Sequence, residues 1–216
     1  MIDAVIWFRI AAMLVTIIKL IQQHRMKFLK QIVQIRAGHA FRGRIEDTPG
    51  AAARVIQMKD VDAERGINWT GLVATELAGR KQPDWLKTGD LLFAARGNRY
   101  FAILLEDVPF DTVLSPHFFH LTVKREAKVL PGFLAWQINQ EPVQHYLQKS
   151  SHGSMIQAIG RQVLDNMPIA IPPLQKQEAV IALNNTWRQE LRVMEALTEN
   201  MQRTMTGIAR QIQREN

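Results

Sequence analysis

The sequence contains no cysteine. Disulfides, thiolate zinc sites and cysteine nucleophiles are therefore excluded. The absence suits a reducing, cytoplasmic setting, where disulfides are rare. Long hydrophobic runs are missing too. Residues 10–18 form an apolar stretch between Arg9 and Lys19. It is too short to span a bilayer, and no small-residue cleavage site precedes Met26. No G-x-x-x-x-G-K or G-x-G-x-x-G loop occurs, so the usual phosphate cradles are absent. There is no G-x-S-x-G elbow. The Asn/Asp-Pro-Pro-aromatic signature of amino-methyltransferases is absent as well. The only double proline, Pro172-Pro173, follows Ile171 and precedes Leu174, so it lacks the amide or carboxylate that chemistry needs.

What is present is a chain of 216 residues, 47% hydrophobic and 22% charged, with a net charge of +7. That is enough apolar material for a folded core. The charge raises the expectation of a polyanionic partner. It is not concentrated: residues 1–26 carry +2, residues 27–173 carry +4 and residues 174–216 carry +1. Folding must gather the cations on one face if nucleic acid is bound. Residues 1–26 read as an amphipathic or buried helical extension, with Met26 as an alternative natural start.

From Lys27 onward, short β-rich runs at residues 53–61, 91–95, 100–105 and 118–123 alternate with turn formers. These are Thr48-Pro49-Gly50, Thr88-Gly89-Asp90, Arg96-Gly97-Asn98 and Ser115-Pro116. The pattern predicts an α/β (α+β) domain over residues 27–173 with a curved, mostly antiparallel sheet. Leu130-Pro131-Gly132 introduces a helix, with an interruption near Glu141-Pro142. A polar loop is expected at residues 150–154, a helical turn at 161–166 and a short closing strand at 167–171.

After Pro173 the character changes. Apolar residues fall at Val180, Leu183, Trp187, Leu191, Met194, Leu197, Met201, Met205, Ile208 and Ile212. The mean step of about 3.6 is that of an amphipathic helix or coiled-coil seam. A helix over residues 174–216 would be about 64 Å long. Its stripe, centred on Leu183, Trp187, Leu191, Met194, Met201, Met205 and Ile208, calls for a partner helix, and a homodimer is the expectation. Folding back onto its own domain is the alternative.

Candidate chemistry is sparse. His117 and His120 form H-F-F-H on an expected strand, where a spacing of three sets the rings on opposite faces. Ordinary histidines are expected there, and no metal site. Asp84, Glu126 and Lys128 have the residue types of a magnesium nuclease, but a surface-charge reading competes with it. For DNA, four polar segments have suitable side chains: Arg42 and Arg44; Lys81; Arg96, Asn98 and Arg99; and Lys149, Ser151, His152, Ser154 and Gln157. Arginine suits guanine, Asn and Gln suit adenine, and Lys and Ser suit phosphate.

Three passages resemble the specificity subunits of type I restriction-modification enzymes. The first runs from Trp85 through Gly89-Asp90-Leu91-Leu92 to Arg96-Gly97. The second joins Leu130-Pro131-Gly132-Phe133 to Ser151-His152-Gly153-Ser154. The third is Met167 to Ile171, then Pro172-Pro173-Leu174-Gln175-Lys176-Gln177. The resemblance implies a non-catalytic subunit whose target recognition domain reads one half of a bipartite double-stranded DNA site. It implies a separate modification subunit that uses S-adenosylmethionine to methylate adenine N6, with a restriction subunit as a further partner. No cofactor is expected on this chain and no membrane. No internal repeat is seen, so a half-length form that dimerises through its long helix is the expectation. A nuclease, or a coiled-coil adaptor that binds protein only, are the alternatives.

Overall fold

The computed structural model describes residues 26–77, 82–97, 99–151 and 158–214. Residues 1–25 of the expected N-terminal extension, with Lys81, Asn98, His152, Ser154 and Gln157, lie outside the described residues, whereas Met26, assigned to that extension, begins a strand. The chain divides between Gln177 and Glu178 into two compact units.

The first unit is mixed α/β. Strand β1 (Met26–Phe28) leads into the single turn α1 (Leu29–Ile32), and strand β2 (Val33–Ala37) follows. Leu29 and Ile32 are fully buried, which fixes the turn although four residues cannot hold a helix alone. Next come β3 (Ala53–Ile56) and the ribbon of β4 (Val61–Asp62) and β5 (Gly66–Ile67), with a 3-10 turn at Met58–Asp60 before it. Then follow β6 (Val73–Thr75), β7 (Leu91–Ala94), β8 (Phe101–Leu104), β9 (Thr112–Leu114) and β10 (Phe118–Val123). The run expected at residues 53–61 is thus broken. Gln57 N–H donates to Asp60 Oδ2 and turns the chain after Ile56.

The main sheet has the order β2-β10-β7-β8, antiparallel throughout. All four residues of β7 are buried, so this strand is covered on both faces. A second sheet, β6-β3-β9, contains one parallel pair, β3 with β9. Ile56, Leu92, Leu105, Leu114 and Phe118 pack into a core that both sheets share. The mostly antiparallel character expected from the sequence is present, divided among small sheets.

Helices α2 (Pro131–Ile138) and α3 (Glu141–Ser151) follow, with α4 (Arg161–Asp165) after them. The break falls at Asn139-Gln140, just before Glu141-Pro142. Asn139 has a second use. Its side-chain amide accepts from Ala102 N–H and donates to Ala102 C=O, each at 2.8 Å. It thereby occupies the outer edge of β8, which would otherwise be open to strand addition. Strand β11 (Pro168–Ala170) pairs antiparallel with β1. The closing strand is therefore tied to the first described residues of the chain.

The second unit is the long helix α5 (Leu174–Arg214) beyond Gln177. Trp187 is 59% exposed, and Leu183, Leu191, Met194, Met201, Met205 and Ile208 are exposed as well. No helix among the described residues is long and apolar enough to cross a membrane.

Candidate nucleic-acid interface

Strands β7 and β8 form a hairpin, and its turn carries Arg96 and Arg99. Gly97 adopts φ +109°, a conformation that suits glycine. A Cβ there would meet Met58 Cε at 3.2 Å, so the turn lies against the 3-10 segment. Ala95 N–H bonds His117 C=O, and Ile159 N–H bonds Ala95 C=O. Arg96 pairs with Ala158 as an isolated bridge. Ala158 and Ile159 are thereby held beside the start of the turn. On the other side, Arg99 lies 3.8 Å from Glu64 of the β4–β5 ribbon.

Met58 also borders a groove of about 340 Å³, with Phe41, Gly43, Gln57, Lys59 and His117. Gly43 stands between Arg42 and Arg44, and both arginines are exposed. The Arg42–Gly43–Arg44 loop and the Arg96–Gly97 turn therefore both come to Met58 and His117. The sequence alone presents them as separate candidates. Gln57, Lys59 and His117 were not singled out for DNA, because only the fold brings them beside the arginines.

Two placements differ from the expected ones. Ser150 and Ser151 are not in a loop, since α3 runs through Ser151. Lys149 consequently sits in the last helical turn, where a cation also complements the helix dipole. His117 precedes β10 and only His120 lies in the strand.

His120 is 3% exposed, and its Nε2 lies 2.8 Å from Asp90 Oδ2. Thr122 Oγ1 donates to Asp90 Oδ1 at 2.8 Å, and Lys87 N–H donates to Oδ2 at 2.9 Å. Burial pushes the Asp90 carboxyl up, but bonds from His120 and Thr122, attraction to His120 and the Lys87 N–H outweigh it. The net shift is downward from the ordinary value. This pair ties β10 to the start of β7, at the end of the strand away from the hairpin turn. It explains the Gly-Asp of the first motif: Gly89 takes φ +91°, and Asp90 holds the turn and the strand beside it.

The nuclease residues are not brought together. Asp84 lies 3.2 Å from Arg36 Nε, at the level of β2 where Arg36 faces His120. Glu126 and Lys128 come after Lys124, whose N–H bonds Ile32 C=O. Four residue steps separate Arg36 from Ile32, roughly 13 Å at strand rise. No cluster of three or more metal-binding side chains occurs among the described residues.

No protein-family model matches the sequence, and no curated protein matches it. Solved structures do. The HsdS subunit from Thermoanaerobacter tengcongensis is 17% identical, with a TM-score of 0.55 over 78% of this chain and 38% of that one. The type I restriction-modification S subunit from M. genitalium is 12% identical, with a TM-score of 0.51 over 81% and 41%. A structure concerned with complex assembly and conformational transition of the type I R-M system is 17% identical, at 0.52 over 79% and 39%.

The chain shares its fold with part of these S-subunit structures. It spans about two fifths of the length of the solved structures it matches. The likeness read from three sequence passages therefore holds at the level of the fold. In this chain two of those passages meet at Gln177, which is fully buried. Its amide accepts from Leu130 N–H at 2.8 Å and donates to Lys128 C=O at 3.0 Å and Pro172 C=O at 2.7 Å.

Proposed function

We propose that this chain is the DNA-reading specificity subunit of a type I restriction-modification system. Its target recognition domain, residues 27–173, takes one half of a bipartite duplex site. The helix at residues 174–216 is the spacer and the dimer contact. A separate methyltransferase subunit brings S-adenosylmethionine and methylates adenine N6, and a restriction subunit joins as a further partner. The chain itself performs no catalysis. The cytoplasm is the compartment this reading expects.

What supports this reading is that the Arg42–Gly43–Arg44 loop and the Arg96–Gly97 turn, both carrying exposed arginines, each border Met58, on a fold shared with specificity subunits. Four exposed guanidinium groups can position a duplex on its phosphates or read guanine. Asn98, Ser151, His152, Ser154 and Gln157 are proposed to add base contacts, and Lys81 and Lys149 phosphate contacts.

The dimer is supported by the uncovered apolar stripe of α5. Charge supports an antiparallel arrangement. Residues 178–199 hold four glutamates and two arginines, whereas residues 200–214 hold three arginines and no acid. Antiparallel pairing of two copies sets the acidic stretch against the basic one.

Duplex binding measured by fluorescence anisotropy tests the proposal. Binding should favour one sequence over competitor DNA and weaken as salt rises. Arg96→Ala should lose about 1–3 kcal/mol of that preference, and Lys149→Ala should weaken all duplexes alike. Equal binding of every duplex by the wild-type chain would remove the proposal.

A further inference from the structure

The main sheet has two outer edges, and among the described residues only one is filled. Asn139 occupies the edge of β8. The other edge belongs to β2. Gly38 N–H bonds Phe118 C=O, and Lys124 N–H bonds Ile32 C=O. The antiparallel register therefore turns the peptide groups of Gln34, Arg36 and Gly38 inward to β10. Those of Ile35 and Ala37 face outward. On one side of them Val33 N–H is taken by Leu29 C=O. On the other, His39 N–H is taken by Leu114 C=O at 2.7 Å. The open edge is thus a window from Ile35 to Ala37.

A groove of about 540 Å³ lies along this window. Pro83, Val113 and Leu114 give it apolar walls. Its one ion pair, Arg36 with Asp84, is internally neutralised. His120 also borders it. Asp90 holds His120 Nε2, while the buried Nδ1 has no partner. A buried nitrogen without a partner costs about 1–3 kcal/mol and calls for water or a ligand.

We propose that this groove is a nucleobase site for a ring carrying an N–H donor next to an acceptor, as adenine does at N6 and N1. Ile35 C=O and Ala37 N–H stand side by side on the strand edge and match that pair. The neutral, apolar-walled groove favours an uncharged ring over a phosphate. An added strand would find only the outward groups of Ile35 and Ala37 to pair with, fewer than a strand of the usual length of about 5–6 residues presents. The ring has two possible sources, a free purine nucleotide or a base extruded from bound DNA. The second source rests on the DNA-recognition reading, and the first does not.

Three arms test the proposal. Adenosine monophosphate is titrated calorimetrically into the purified chain, with inosine monophosphate as the reversed donor-acceptor control. A duplex carrying 2-aminopurine is titrated separately and its fluorescence read. Each is repeated with Ala37→Pro, which removes an outward N–H that pairs with nothing in the sheet, and thermal melting checks that the variant folds. A free-nucleotide site predicts that adenosine monophosphate binds roughly tenfold tighter than inosine monophosphate, with the difference lost in Ala37→Pro. An extruded base predicts a 2-aminopurine fluorescence rise that Ala37→Pro abolishes, without free-nucleotide binding. Equal binding of the two nucleotides, or no response in either arm, would overturn the site. So would protection of the Ile35 and Ala37 amides from hydrogen exchange by a second chain alone, which would assign the edge to peptide. Sequence-preferring duplex binding that persists through such a failure leaves the DNA-recognition reading standing.

Discussion

Gln177 holds Leu130 through a 2.8 Å bond from the Leu130 backbone N–H to the Gln177 side-chain oxygen. The same amide satisfies the carbonyls of Lys128 and Pro172. One side chain thus closes three backbone groups at the first turn of α5 and the entry to α2. Lys128 is the only non-glycine residue with positive φ among the described residues, and its carbonyl is one of those held.

Gln177→Leu keeps the volume and removes all three bonds. Buried backbone groups left without partners make this change costly, about 2–4 kcal/mol. Chemical denaturation should show a lower midpoint with an unchanged slope. A midpoint equal to that of the wild type would refute the role given to Gln177.

Gly38 meets a different constraint. A Cβ at this position would lie 2.0 Å from Ser115 C=O and 2.9 Å from Leu114 C=O, both backbone atoms. Neither can yield without moving β9. Gly38→Ala should therefore destabilise the domain by more than about 3 kcal/mol. Gly43→Ala, with nothing within 4 Å of its Cβ, should cost less despite the positive φ. A thermal melt of the two variants side by side compares them, and equal losses would contradict the packing argument.

The Asp90–His120 pair makes stability depend on pH. The Asp90 carboxyl titrates below its ordinary value of 3.8. Its stabilising contribution is present above that value and is lost as pH falls through the lower, folded one. The wild-type melting temperature should drop on acidification below about pH 4. Asp90→Asn should start lower at pH 7 and lose less between pH 5 and pH 3. Parallel curves for the two proteins would contradict the role given to the Asp90 carboxylate.

Much of this architecture is legible in the residues. The strand at 118–123, the helix opened by Pro131, its break before Glu141 and the long α5 all follow from periodicity and proline placement. The shorter strands β2, β6 and β9 do not. Three to five residues carry too little period to announce a strand. Pairing β3 with β9 joins positions nearly sixty residues apart, which no local pattern encodes. The same holds for the interface. Arg42 and Arg96 are visible as basic turns, but their nearness depends on Met58, which borders both Gly43 and Gly97 and which sequence treats as one more apolar residue. Asp90 reads as half of a turn motif until sheet register sets His120 beside it.

The stripe on α5 gives its own prediction. Met194→Glu places a charge in the middle of the seam and should convert a dimer to a monomer in sedimentation-velocity runs. Arg188→Glu, outside the seam, should leave the mass unchanged. A wild-type chain that sediments as a monomer at micromolar concentration would remove the dimer.

The most direct test of sequence reading is selection from a randomised duplex library by the purified chain at near-physiological salt. The expected result is enrichment of a site with two related halves around a fixed spacer, lost when Arg42, Arg44, Arg96 and Arg99 are all changed to alanine. A pool that stays random through successive rounds, with or without a methyltransferase partner, would contradict the account.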